Sequence, residues 1–133
     1  MADRVTRTLP IRDRLSQPFW DALKSGELLI QRCKSTGKYQ WYPRAHSIHD
    51  VNSEVEWVRS RGTGFIYSYS IPRQTRIDRE VPYVYAIVEL DEGVRMTANI
   101  INTPIERICV GLKVKAAFEK IKDDLTILQF EAA

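Results

Sequence analysis

The chain has 133 residues, 44% of them apolar, and a net charge of +3. That allows one domain, or one domain with a short appendage, around a real core, and so mild a basic balance argues against bulk nucleic-acid binding while giving slight support to an anionic ligand. No run approaches the roughly eighteen apolar residues of a membrane span. The two cysteines, Cys33 and Cys109, lack paired spacing and follow no apolar signal segment, so reduced thiols in a cytoplasm are expected.

Residues 1–15 are mixed in charge and read as an arm that is ordered only where something holds it. Ser16 suits an N-cap, Pro18 sits in a first turn, and Gly26 stops an apolar run, so a short helix is expected over 17–25. Phe19 and Trp20 are adjacent and point about 100° apart on such a helix. Either both pack on the chain's own core or one of them meets a partner chain.

Residues 28–33 read as a strand ending in Cys33, 34–37 as a turn, and 38–42 as the returning strand. A strand, a terminal cysteine and a glycine turn give the outline of a zinc-ribbon knuckle. Zinc there needs four closed ligands, usually two Cys-x-x-Cys pairs, and neither pair is present. Thr36 stands three residues after Cys33. After Pro43-Arg44 come His46 and His49, spaced i, i+3, which with Cys33 form an alternative set of three ligands with Asp50 as a fourth. The competing reading is a metal-free ribbon with solvated histidines, held by Tyr39, Trp41, Tyr42 and Trp57.

Gly62 and Gly64 bracket Thr63, a place where backbone bends or is closely approached. From there Phe65, Tyr67, Tyr69 and Ile71 alternate with Gly64, Ile66, Ser68 and Ser70, as in a half-buried strand. A loop bracketed by Pro72 and Pro82 carries Arg73, Arg76 and Arg79. Strands are expected over 83–90 and 94–101 around an Asp91-Glu92-Gly93 hairpin turn, then a short helical turn through Ile108, then strands over 112–119 and 125–130. Three strands in a meander, a helix and two more strands form the pattern of an OB-fold, a five-stranded barrel. Its first loop would hold the three arginines, either solvated or as an anion-contacting edge.

The order Pro18-Phe-Trp-Asp-Ala-Leu-Lys-Ser-Gly-Glu-Leu28, Gln31-Arg-Cys33, Tyr42-Pro-Arg44, Glu56-Trp-Val58, Gly62-Thr-Gly-Phe-Ile-Tyr-Ser-Tyr69 and Val88-Glu-Leu-Asp-Glu-Gly-Val-Arg95 resembles the rubredoxin-like zinc ribbon plus OB-fold proteins. That family is described as acyl-CoA-associated and was long a domain of unknown function. The resemblance runs from about residue 16 to residue 130. It implies a mainly β chain: an N-terminal arm and helix at 1–27, a degenerate ribbon at 28–60 and an OB-fold at 61–133. It also implies a non-catalytic accessory subunit of a thiolase-like enzyme, with acyl-CoA as ligand. Carried over by position, the family's four zinc cysteines fall on Cys33, Thr36, Ser47 and Asp50. Three of the four are replaced, so an empty metal site is expected.

No Ser/His/Asp order, glycine-rich phosphate loop or paired carboxylates make the case for an enzyme. Cys33 as a nucleophile with His46 or His49 as base is the weakest alternative. The runner-up is a single-stranded nucleic-acid-binding OB-fold, with Tyr67, Tyr69, Tyr83 and Tyr85 as stacking platforms.

Overall fold

A computed structural model of the chain describes residues 9–74 and 80–133. Helix α1 is Gln17–Lys24. Phe19 and Leu23, four residues apart on one face, are buried, and Trp20 packs beside them with its ring edge-on to Phe19 at 4.9 Å. Both aromatics therefore serve the chain's own core. Ser16 is the N-cap but caps no helix amide with its side chain. Its hydroxyl donates to Asp13 Oδ1 at 2.6 Å and accepts from Trp20 Nε1 at 3.0 Å. The helix stops where Gly26 turns to φ 76°. Ahead of it, Arg12 donates to the Asp124 carbonyl at 2.5 Å and meets its carboxylate at 3.4 Å, which ties down the described part of the arm.

Strands β1 (Leu29–Cys33), β2 (Tyr39–Gln40) and β3 (Val55–Arg59) form a three-stranded antiparallel sheet in the order β2-β1-β3. The returning strand is shorter than the 38–42 expected. Tyr39, Trp41 and Trp57 are half-buried against the core, whereas Tyr42 is 58% exposed and lies outside that core, its ring edge-on to Trp41 at 5.7 Å.

The remaining strands are β4 (Thr63–Ser70), β5 (Val84–Leu90), β6 (Arg95–Ile100), β7 (Lys113–Lys122) and β8 (Leu125–Ala132). They close a barrel in the order β4-β5-β6-β8-β7, with β6 and β8 parallel and the other pairs antiparallel. This is the OB-fold expected from the strand pattern. The helix expected between the third and fourth barrel strands is one 3₁₀ turn, Ile105–Arg107.

Ile66, Val88, Leu90, Val114 and Phe130 fill the barrel, and the same apolar cluster continues through Phe19, Leu23, Leu28 and Ile30. Helix, ribbon and barrel share one core. Each fully buried Leu, Ile or Phe there contributes roughly 1.5–3 kcal/mol.

The alternation expected along β4 is broken. A bulge between Ile66 and Ser68 shifts the register, so Phe65 pairs with Glu89 whereas Tyr69 pairs with the buried Ala86. Directly paired residues share a face, so the four expected aromatic and apolar positions do not lie on one side. The inward positions at the start of the strand are Gly64 and Ile66.

Candidate functional site

The joint between ribbon and barrel is built from residues 60–63 and the β5–β6 turn. Gly62 bends the chain at φ 73°. Gly64 is packed so closely that a β-carbon would overlap the Glu89 carbonyl oxygen and lie 2.9 Å from Leu90 Cα. Glu92 accepts from Ser60 Oγ and from the Arg61 amide, both at 2.9 Å, and Asp91 accepts from Thr63 Oγ1. Both expected roles of the glycines, bend and close approach, are met.

The knuckle region lies at the other end of the ribbon. Cys33 is fully buried, its Sγ 3.5 Å from Ser35 Oγ. Burial raises its pKa, but hydrogen bonds with the hydroxyls of Ser35, Ser47, Ser53 and Thr36 outweigh that and bring it down to about 5. Thr36 Oγ1 accepts from the Lys38 amide at 3.2 Å. Ser47 is buried, and its Oγ accepts from the amides of His49 at 3.0 Å and Asp50 at 3.1 Å. Asp50 accepts from Ser35 Oγ at 2.7 Å and from the Asn52 amide at 3.0 Å, and these bonds lower its pKa.

The four carried-over positions are thus knitted to the knuckle turns by hydrogen bonds. The alternative set is not assembled. His46 is exposed, and the His49 ring bonds the Tyr39 carbonyl at 2.9 Å. Among the described residues, no three of His, Cys, Asp and Glu are grouped to hold a metal ion. The same placements leave Cys33 among hydroxyls, those of Ser35, Ser47, Ser53 and Thr36.

Sequence reasoning missed two residues here. Gln31 on β1 and Gln40 on β2 are each only 1% exposed. Gln31 Oε1 accepts from Gln40 Nε2 at 2.9 Å and from the Arg44 amide at 2.8 Å, while its Nε2 donates to the Arg44 carbonyl at 2.9 Å. Gln40 Nε2 also donates to the His46 carbonyl at 3.1 Å, and its Oε1 accepts from the Ile48 amide at 2.9 Å. Ile30 and Gln31 are consecutive on β1 and point to opposite faces, so the sequence alone gives Gln31 a solvent-facing position, and its burial comes from residues 44–48 folding over it.

Arg73 is exposed beyond β4, and Arg76 and Arg79 lie outside the described residues. Tyr67, Tyr69 and Tyr85 are exposed on the barrel and Tyr83 is half-buried. Arg95 lies 3.7 Å over the Tyr67 ring and is anchored by Glu89 at 3.0 Å, so one face of that ring is already covered. An apolar groove of about 310 Å³ opens between α1, residues 41–42 and strands β6 and β8, lined by Phe19, Trp20, Trp41, Tyr42, Met96 and Leu128 among others.

Residues 57–119 match the family described as ChsH2, C-terminal OB-fold domain, and residues 20–46 match ChsH2, rubredoxin-like zinc ribbon domain. A DUF35 domain-containing scaffold protein of Methanocaldococcus jannaschii is 33% identical over 86% of this chain and 84% of its own length. The 3-oxo-4,17-pregnadiene-20-carboxyl-CoA hydratase alpha subunit of Mycobacterium tuberculosis is 32% identical over 86% of this chain. A probable enoyl-CoA hydratase alpha subunit of Thermomonospora curvata is 29% identical over 98% of it. The chain spans only 37% and 41% of those two subunits. Among solved structures, a chain of the Ltp2-ChsH2(DUF35) aldolase superimposes with a TM-score of 0.84 at 29% identity, covering 93% of this chain and 98% of that one. A DUF35 protein of unknown function from Sulfolobus solfataricus, at a TM-score of 0.64 and 15% identity over 90% of this chain and 86% of that one, shares the fold.

Proposed function

Because this chain belongs to the DUF35 family, which joins a rubredoxin-like ribbon to an OB-fold, we propose that it is an accessory subunit docked on a thiolase-like partner that carries the chemistry. The observation that carries this reading is the likeness to the Ltp2-ChsH2(DUF35) aldolase over 93% of the chain. The relatives named as CoA-ester hydratase subunits support acyl-CoA compounds as the substrate class of the complex. The apolar groove beside α1 offers such a partner an anchoring surface, with the exposed Tyr42 at its edge. Arg73, with Arg76 and Arg79, then contacts either CoA phosphates or an acidic patch of the partner. Among the described residues no helix is long and apolar enough to cross a membrane. We propose a cytoplasmic complex on the ground that Cys33 and Cys109 are free thiols.

The nucleic-acid reading is weaker. Arg95, anchored by Glu89, already stacks on one face of Tyr67, so that face is closed to a base and the Arg95 charge is already paired. Affinity capture of the full chain from its own cells separates the two. Recovery of a thiolase-like protein is expected. Salt-sensitive binding to single-stranded oligonucleotide without such a partner would contradict the proposal.

A further inference from the structure

We infer that the ribbon of this chain folds without zinc, its second knuckle being tethered by the buried Gln31–Gln40 amide pair where relatives of the zinc-ribbon type would use a metal. A ribbon metal works by holding two knuckles that are distant in sequence, and zinc favours thiolate and imidazole ligands in a closed tetrahedron. The donor set here does not fit. It comprises one thiol, two neutral alcohols and one carboxylate, at Cys33, Thr36, Ser47 and Asp50.

Those donors are also engaged already. Ser47 Oγ receives two backbone amides, at 3.0 and 3.1 Å. Thr36 Oγ1 receives the Lys38 amide at 3.2 Å, and Asp50 Oδ2 receives Ser35 Oγ at 2.7 Å. A metal would have to displace these bonds and take from the amides of Lys38, His49 and Asp50 the acceptors they now have.

The tether that replaces it bridges the same two parts of the chain. Gln31 and Gln40 sit opposite one another in the β1–β2 pairing and bond each other at 2.9 Å. Their remaining bonds all reach across to the second knuckle, at Arg44 N and O, His46 O and Ile48 N. Residues 44–48 are thereby held against the sheet by four backbone bonds from two side chains that water cannot reach. An amide is suited to this because it offers donor and acceptor from one planar group, as the alternating backbone groups of the knuckle require.

The test is elemental analysis of the full chain purified from zinc-supplemented cells, together with thermal unfolding with and without a chelator. Zinc well below one per chain and an unchanged midpoint are expected. One tightly held zinc per chain, or a midpoint that falls on chelation, would overturn the inference. A variant carrying Thr36→Cys, Ser47→Cys and Asp50→Cys restores a four-thiolate set on the same knuckles. It is expected to take up one zinc and become chelator-sensitive, and failure to bind zinc while folded would refute the claim that the donor set is what was lost. Gln40→Leu is expected to lower the unfolding midpoint of the parent chain; an unchanged midpoint would remove the amide pair from its role.

Discussion

Gln40 Nε2 donates to Gln31 Oε1 at 2.9 Å, and both side chains are sealed from solvent. Single replacement of either by leucine removes the bond between them and takes the side-chain partner from two knuckle backbone groups, Arg44 N and O for Gln31 or His46 O and Ile48 N for Gln40, at a cost of about 1–3 kcal/mol per group left unpaired. The two losses overlap because the residues share a bond, so the double variant is expected to lose less than the sum of the singles, by about 1 kcal/mol. Urea unfolding of the four proteins measures this; strict additivity would show the two amides acting independently.

Gly64→Ala drives a methyl into the backbone of Glu89 and Leu90, neither of which can yield without breaking the β4–β5 ladder. A loss of at least about 3 kcal/mol is expected. Gly62→Ala meets only Ala116 Cβ at 3.3 Å and suffers chiefly from its positive φ, so about 1–2 kcal/mol is expected there. Equal losses in the two variants would contradict the close approach at Gly64.

Hydrogen bonds from the Ser16 side chain and backbone hold the Asp13 pKa below the ordinary carboxylate value. The folded-state value is depressed, so the stability it contributes is present above the ordinary value and is lost as pH falls through the folded one. Asp13→Asn is expected to flatten that part of the acid unfolding curve while leaving the neutral region parallel to the parent. Identical acid limbs would contradict the assignment.

Tyr42 contributes little to the fold, being 58% exposed, yet it edges the apolar groove. Tyr42→Asp is expected to keep the thermal midpoint within a few degrees and to weaken capture of the partner at least about tenfold, the scale of one lost apolar anchor. Undiminished capture would move the docking surface elsewhere, with the arginine loop at Arg73 as the next place to look.

The barrel was legible because its strands alternate and because glycine chemistry is local: Gly62 and Gly64 announce a bend and a close approach by what they lack. The bulge at Ile66–Ser68 was not, since nothing in those side chains signals an extra residue in the ladder. The knuckle positions could be matched by order, but their hydrogen bonds depend on turns that bring Ser47 to the amides of His49 and Asp50. The glutamine tether was hidden for a related reason. A glutamine on a short strand reads as solvent-facing until the chain that folds over it is known, and here that chain is residues 44–48.

The central claim is that this chain assists a thiolase-like partner and does not itself turn over substrate. The most direct measurement is the rate of CoA-ester conversion by the captured partner alone, by this chain alone and by the two together. The account predicts no turnover by this chain alone and a large gain when it is added to the partner. Turnover by the isolated chain, or a partner indifferent to its presence, would contradict it.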